Sequence, residues 1–152
     1  MTKKTAVFAC AAAFAVAVLD GGFKFLAVHG LPSDSLPMTW PVALALHKNP
    51  GVIFDIAIPL AIILPVTLAL CIALLIMARR AFRGSPAQSV ALWCIVGGAA
   101  GNAVDRLVNG FTTDYIIFFR ISAINLADIL IIVGAMLYLY YSRSTLSEDT
   151  ER

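Results

Sequence analysis

Four long apolar stretches, separated by polar segments, set the pattern of this chain. They cover about residues 5–28, 52–78, 88–108 and 125–141. Each is long enough for an α-helix to cross the hydrocarbon core of a bilayer, which takes about 17 to 25 residues. None has the continuous polar face of a helix that packs on a soluble core. The pattern therefore predicts four transmembrane helices.

The first of these stretches also has features of a cleavable signal peptide. Lys3 and Lys4 precede an uncharged segment, as the basic region of a signal peptide does. Apolar residues resume after Asp20, however, and continue to Val28. Because the whole stretch is long enough to span a bilayer, we interpret it as a retained helix.

The basic residues indicate how the helices are oriented. They lie at the amino end, between the second and third stretches and at the carboxyl end, as Lys3, Lys4, Arg79, Arg80, Arg83 and Arg143. The positive-inside rule places all three regions in the cytoplasm. The longer connections, at about residues 29–51 and 109–124, then lie outside. We expect an all-α membrane protein with four transmembrane helices and a small extracytoplasmic loop region containing β-structure, folded as one domain over residues 1–152.

Composition supports a membrane protein and excludes other classes. Of the 152 residues, 61% are hydrophobic and only 13% are charged, which is typical of an integral membrane protein. The net charge of +2 and the scattered basic residues argue against nucleic-acid binding. The cysteines and histidines lack the spacing of a metal site, so we predict neither a metal nor another cofactor.

Three aspartates interrupt the apolar helices at one depth. At 1.5 Å per residue, Asp20, Asp105 and Asp128 each lie about 22 to 24 Å from the cytoplasmic end of their helix. In a hydrocarbon core of about 30 Å, that depth is just beneath the outer surface. Carboxylates inside a membrane are costly, at about 2.5–3.5 kcal/mol each on the insertion scale. The aspartates therefore need partners or a function.

Further polar residues lie on the same helical faces at this depth. The pairs at spacings of three or four residues are Asp20 with Lys24, Asn102 with Arg106, and Asn125 with Asp128. Helix anchoring and interhelical hydrogen bonds explain any one of these pairs. So many ionisable groups at one depth exceed what anchoring needs, so we predict a single polar cluster that opens toward the outside.

Paired carboxylates in such a cluster suit acid–base chemistry. Two carboxyl groups held close in a low-dielectric site share a proton, so that one activates water while the other donates to the substrate. Aspartic peptidases work in this way. A serine hydrolase is disfavoured because the serines have no base partner in the sequence. Spacing alone does not decide which of Asp105, Asp114 and Asp128 form the pair.

The order of the polar motifs carries more information than any single pair. The motifs are Asp20-x-x-x-Lys24, Asn49-x-Gly51-x-x-Phe54, Gly97-Gly98-x-x-Gly101-Asn102-x-x-Asp105-Arg106, Gly110-x-x-x-Asp114 and Asn125-x-Ala127-Asp128. In this order they closely resemble lipoprotein signal peptidase, the type II signal peptidase of bacterial membranes. The resemblance covers most of the chain and agrees with four spans.

The resemblance implies an aspartic endopeptidase of the bacterial cytoplasmic membrane, with its active site near the outer face and both termini in the cytoplasm. It would remove the signal peptide from diacylglyceryl-modified prolipoproteins, cutting before the lipidated cysteine, with membrane lipids as its other partners. By position, Asp114 and Asp128 resemble the catalytic dyad. The supporting and substrate-binding residues would be Asn49, Gly51, Asn102, Arg106, Asn125, Asp20, Lys24 and Asp105.

The chain departs from the family pattern at Ile53, Thr113, Tyr115 and Ile124, which we expect to affect substrate fit and loop packing. By the same resemblance, a small sheet would occupy about residues 31–51, and the aromatic link after Asp114 would form an opposite wall. Two other functions stay open. One is a small proton-linked transporter, because intramembrane charges also serve ion pathways. The other is a catalytically silent membrane scaffold.

Overall fold

The computed structural model describes residues 1–33, 41–51, 56, 58–119 and 121–150, without the side chains of residues 144–150. Its elements in chain order are α1 (Lys3–Gly30), β1 (Val42–Asn49), α2 (Leu60–Gly84), α3 (Pro86–Asn109), β2 (Thr112–Phe118), β3 (Ser122–Ile124) and α4 (Leu126–Thr150). Ile53, Phe54 and the predicted beginning of the second span lie outside the described residues.

Within the described residues, four helices are long and apolar enough to cross a membrane. A small antiparallel sheet accompanies them. The predicted fold class is therefore confirmed. The first helix begins after Thr2, whose hydroxyl oxygen accepts a hydrogen bond from the N–H of Thr5 at 3.2 Å. Such a cap satisfies one of the free N–H groups of a first helical turn.

The second helix runs from Leu60 to Gly84, so it continues past the predicted carboxyl end of the second span at about residue 78. Pro59 has an extended backbone and precedes the first turn, because a proline is tolerated at a helix start. Arg79, Arg80 and Arg83, which follow the predicted end of the span, continue the helix, since arginine is a good helix former. The chain turns only at Ser85, and Pro86 opens α3.

The sheet takes strands from both of the longer connections between the helices. β1 pairs antiparallel with β2, and β2 pairs antiparallel with β3. β1 lies within the expected range of residues 31–51, but the link after Asp114 supplies β2 and β3 of the same sheet and is not a separate wall. The sequence Thr-Thr-Asp-Tyr-Ile-Ile-Phe is rich in β-branched and aromatic residues, which favour strands. Gly110 begins the turn into β2 with φ of +80°, a conformation that glycine adopts without strain.

Small residues let the helices approach one another closely. α3 packs against α1, α2 and α4. A Cβ placed on Gly98 would meet the carbonyl oxygen of Ala127, and one placed on Gly134 would lie 2.7 Å from the carbonyl oxygen of Ala91. Membrane helices associate through such small residues because lipid supplies no hydrophobic drive between them. The close α3–α4 contact places Asn102 beside the beginning of α4.

Large apolar side chains cover the outside of the helices, as a lipid-facing surface requires. Examples are Phe8, Phe14, Leu68, Leu107 and Met136, all of them exposed. The buried charged residues are instead found at the end of the bundle that carries the sheet, as Asp20, Lys24, Asp105 and Asp114. The fold thus gathers the costly polar groups at one end.

Candidate active site

Asp114 lies in the middle strand of the sheet, opposite His47 of β1. Its carboxyl oxygens accept hydrogen bonds from two amide side chains. Nδ2 of Asn125 lies 2.6 Å from Oδ1, and Nδ2 of Asn49 lies 3.2 Å from Oδ2. Asp114 is only 1% exposed, so these bonds form in a site largely shielded from water.

Asp128 lies in the first turn of α4 and is partly exposed. Its Oδ1 accepts from Nδ2 of Asn102 at 2.8 Å, and its Oδ2 accepts from the backbone N–H of Asn125 at 3.3 Å. In return, the N–H of Asp128 donates to Oδ1 of Asn125 at 2.9 Å. This reciprocal arrangement is a capping box, in which residues three apart satisfy each other's N–H groups at a helix start.

Asn125 therefore contacts both aspartates. Its side-chain amide nitrogen binds Asp114, while its side-chain oxygen and backbone N–H bind Asp128. The side chain is completely buried. A buried group with every polar atom satisfied holds a defined position, since any displacement leaves unpaired donors. Asn125 thus sets the relative placement of the two carboxyl groups.

The environment of Asp114 favours its protonated form. Burial raises the pKa of this carboxyl from its ordinary value of 3.8 to about 7, and the nearby charge of Asp128 adds to that rise. The hydrogen bonds from Asn49 and Asn125 act in the opposite direction, as does the positive charge of His47. Near neutral pH the carboxyl group of Asp114 therefore keeps its proton more readily than an ordinary aspartate does.

Lys24 joins the first helix to the third. Its Nζ lies 2.8 Å from Oδ2 of Asp20, 3.5 Å from Oδ2 of Asp105 and 2.6 Å from Oδ1 of Asn102. Lys24 is 4% exposed and Asp20 is fully buried. Because Asn102 in turn donates to Asp128, the ammonium group of Lys24 is one side chain away from the second aspartate. The convergence predicted from depth is therefore present.

Asp105 connects the last turn of α3 to β2. Its Oδ2 accepts from the N–H of Thr113 at 2.6 Å, and its Oδ1 accepts from the Thr113 hydroxyl at 3.0 Å and from Nδ2 of Asn109 at 2.7 Å. These bonds hold the residue that precedes Asp114 in the strand. Asp105 thus supports the backbone beside Asp114.

Arg106, Gly51 and Asn49 form the side of the site that β1 provides. Nη2 of Arg106 donates to the carbonyl oxygen of Gly51 at 2.9 Å. The N–H of Gly51 donates to Oδ1 of Asn49 at 2.9 Å, which leaves the amide nitrogen of Asn49 for Asp114. The motif from the first outer connection therefore reaches the site through a short chain of hydrogen bonds.

Sequence reasoning missed the part that two hydroxyl groups play. Thr113 and Tyr115 were noted only as departures that affect substrate fit and loop packing. Instead, the Thr113 hydroxyl binds Asp105, and the Tyr115 hydroxyl donates to Oδ1 of Asp20 at 3.0 Å. Burial raises the pKa of the Tyr115 hydroxyl, which keeps it neutral and able to donate. The available signal was position, since both residues flank Asp114.

His47 has no cysteine or carboxylate at metal-site spacing in the sequence, so local spacing gives it no role near Asp114. Its relevance comes from strand register, which places it across from Asp114. Among the residues that the structure describes, no three His, Cys, Asp or Glu side chains are grouped so as to hold a metal ion.

Comparison with known proteins identifies relatives of this chain. The sequence profile described as signal peptidase (SPase) II matches residues 12–143. The lipoprotein signal peptidase of Enterobacter sp. (strain 638) is 31% identical over 130 residues, which are 79% of this chain and 78% of that protein. The lipoprotein signal peptidase of Halothermothrix orenii is 31% identical over 128 residues, which are 83% of this chain and 88% of that protein.

A solved structure shares the fold. A bacterial membrane enzyme determined by the in meso method superposes with a TM-score of 0.79, over 98% of this chain and 93% of that chain, at 19% identity. The profile match runs from within α1 to the end of the membrane-spanning part of α4, and so includes both Asp114 and Asp128. This chain therefore belongs to the signal peptidase II family, a family of membrane peptidases.

Proposed function

We propose that this protein is an aspartic endopeptidase that removes the signal peptide from diacylglyceryl-modified prolipoproteins, cutting before the lipidated cysteine. The observation that carries the aspartic mechanism is the shared contact of Asp114 and Asp128 with Asn125. Two carboxyl groups held by one buried amide can divide the roles of acid and base. Family membership and the relatives' printed name support the substrate class.

In this mechanism Asp128 is the base and Asp114 is the acid. Asp128 is the more exposed of the two and accepts two N–H hydrogen bonds, which suits a carboxylate beside a water molecule. It removes a proton as the water oxygen attacks the scissile carbonyl carbon. Asp114, with its pKa raised to about 7, donates its proton to the carbonyl oxygen, which gives a tetrahedral gem-diol. As the C–N bond breaks, the proton held by Asp128 passes to the leaving amine and one hydroxyl of the diol returns a proton to Asp114, so both carboxyl groups regain their starting states.

The remaining residues hold this pair. Asn102 and Lys24 support Asp128, and Asp20 and Asp105 balance the charge of Lys24. Asn49, Gly51 and Arg106 form a wall of the site beside Asp114, held together by their own hydrogen bonds. Asp114 is 1% exposed, so the proposal requires the residues that cover it to move aside when the substrate binds.

The lipid on the substrate supplies much of the positioning. With the diacylglyceryl chains in the bilayer, the scissile bond is restricted to a narrow range of depth in the membrane. The substrate therefore reaches the site by diffusion in the plane of the membrane, with part of its positioning already done. We infer that the site lies near the outer face of the bacterial cytoplasmic membrane, with both termini in the cytoplasm and residues 1–152 forming one peptidase domain. The basic residues Lys3, Lys4, Arg79 and Arg80 support this orientation, because they lie at the helix ends away from the sheet.

Cleavage of a synthetic diacylglyceryl-modified prolipoprotein by the purified protein in detergent tests the proposal. Asp114→Asn and Asp128→Asn are each expected to lower turnover by at least about 100-fold, because an acid or base is lost. Asp105→Asn, which removes a carboxylate from the same cluster, is the matched control and retains measurable turnover. Near-wild-type turnover by either dyad variant in folded form contradicts the assignment.

Two further measurements separate the alternatives. Loss of cleavage with a chelator and its return with zinc would replace the metal-free mechanism by a metal-dependent one. Substrate-free proton flux through the protein in liposomes would favour the transporter. Against that function, the buried charged residues within the described ranges lie at one end of the bundle, whereas a transport pathway needs polar groups throughout its depth. Absence of both cleavage and flux would favour the scaffold.

A further inference from the structure

Tyr115 follows Asp114 in β2 and is buried. Successive strand residues point to opposite faces, so its ring is directed away from the carboxyl group of Asp114. The ring lies toward α1, where its centroid is 6.0 Å from that of Phe23. The mechanism above assigns no part to this side chain.

The directions of the two hydrogen bonds made by the Tyr115 hydroxyl follow from chemistry. The backbone N–H of Leu126 can only donate, so the hydroxyl oxygen accepts from it, at 3.1 Å. The hydroxyl proton is then free to be donated to Oδ1 of Asp20, at 3.0 Å. Both bonds use the same oxygen and fix it between α1 and α4.

Leu126 is the first residue of α4, and Asn125 immediately precedes it. A restraint on the N–H of Leu126 is therefore a restraint on the backbone of Asn125. Asn125 in turn holds Asp114 through its amide and Asp128 through its capping interaction. The hydroxyl of Tyr115 thus acts on the dyad through one intervening residue.

We propose that Tyr115 is a positioning residue of the peptidase: its hydroxyl, held between Asp20 and the N–H of Leu126, keeps Asn125 in the position that sets the spacing of Asp114 and Asp128. The inference rests on the proposed function, because the spacing matters only if the two aspartates act together. Tyr115 does not contact the substrate. Its removal therefore affects the chemical step more than binding.

The first test is Tyr115→Phe, assayed with the same lipidated prolipoprotein. We expect kcat to fall at least 10-fold while KM stays within twofold, because the groups that bind the peptide and the lipid are unchanged. Tyr138→Phe, which removes a hydroxyl farther along α4, is the matched control and leaves both constants unchanged. If Tyr115 had only a structural role, Tyr115→Phe would lower the amount of active enzyme. With rates normalised to titrated active sites, kcat would then match that of the wild type.

The second test asks whether the hydroxyl works through Asp20. Asp20→Ala, which leaves no side-chain oxygen to accept from Tyr115, is combined with Tyr115→Phe, and kcat is compared for both single variants and the double variant. Because each single change then breaks the same bridge, the double variant is expected to lose at least threefold less than the product of the two single losses. Losses that multiply show independent action and overturn the proposed route.

Other results also decide the matter. A Tyr115→Phe kcat within twofold of wild type, or a change in KM alone, overturns the proposal. If that variant does not fold, 3-fluorotyrosine at position 115 keeps the ring and the hydroxyl but makes the oxygen a weaker acceptor. A threefold or larger fall in kcat then supports the proposal, and an unchanged kcat overturns it. Failure of the wild-type protein to cleave would instead contradict the proposed function, which distinguishes the two.

Discussion

The side-chain amide of Asn125 donates to Oδ1 of Asp114 across 2.6 Å, with both residues almost fully buried. This bond joins the strand that carries one aspartate to the residue that caps the helix carrying the other. In the proposed mechanism, this bond lets an aspartate from a sheet and an aspartate from a membrane helix act as one pair. It also determines how the site should respond to pH and to substitution.

The rate of cleavage should fall as the pH rises through about 7, because Asp114 must be protonated to donate. Asn49→Ala removes a hydrogen bond that lowers the pKa of Asp114, so the alkaline limb should move to higher pH by up to about one unit. Initial rates from pH 5 to 9 measure this. A limb that moves to lower pH would show that Asn49 does not stabilise the charged form.

Stability should also depend on the protonation of Asp114. The folded carboxyl keeps its proton up to about pH 7, whereas the unfolded one loses it near pH 4, so the folded state binds more protons in between. The free energy of unfolding should therefore fall as pH rises across this window, by up to about 4 kcal/mol. Asp114→Asn removes this dependence. Denaturant unfolding in detergent at pH 5 and pH 8 measures the slope, and an equal slope in the variant would refute the assignment.

Replacing Lys24 by methionine should destabilise the protein strongly. Asp20 and Asp105 would lose their buried cation, and removal of one partner of a buried ion pair costs about 3–5 kcal/mol. Lys24→Met combined with Asp20→Asn should recover part of that loss, since one unpaired charge is removed.

Lys48→Met is the matched control for this experiment. Lys48 is exposed, and its Nζ lies 5.2 Å from the centre of the Phe111 ring, so its loss should cost only about 0.5–1 kcal/mol. Thermal unfolding in one detergent compares all the variants. Equal effects of the two lysine substitutions would mean that the ion pair near Asp20 does not stabilise the fold.

Gly98→Ala should lower both stability and activity. The added methyl group would meet the carbonyl oxygen of Ala127 and would lie 2.8 Å from Cγ1 of Ile131. To make room, α4 must shift away from α3 at Ala127, the residue directly before Asp128. Overpacking of this kind typically costs about 1–3 kcal/mol. At Gly22 a Cβ meets nothing within 4 Å, and Gly22→Ala should be neutral or stabilise by up to about 1 kcal/mol. Turnover and unfolding midpoints test the pair, and a tolerated Gly98→Ala would contradict the close α3–α4 contact.

Asp105→Asn should lower stability more clearly than it lowers turnover. The new amide nitrogen would face a donor from Thr113, Asn109 or Lys24, and an unsatisfied buried donor costs about 1–3 kcal/mol. The dyad keeps its own hydrogen bonds to Asn125 and Asn102. Folded protein without any turnover would show that Asp105 has a direct catalytic part.

The sequence by itself determined the four membrane helices and the level at which their polar residues meet. Hydropathy is a property of local composition, and the rise of a helix converts residue number into depth. Asp20, Asp105 and Asp128 could therefore be predicted to converge. The proposed chemistry rests on the scarcity of other candidate groups and on the resemblance of the motifs to the family.

Only the tertiary structure decided which partners these residues take. The strand that holds Asp114 pairs with residues of the first outer connection, and the Tyr115 hydroxyl reaches Asp20 across 95 positions of sequence. Strand register and buried hydrogen bonds depend on contacts between segments far apart in the chain, which no local pattern encodes. For that reason the roles of Thr113, Tyr115 and His47 emerge only when the sheet is laid over the helix ends.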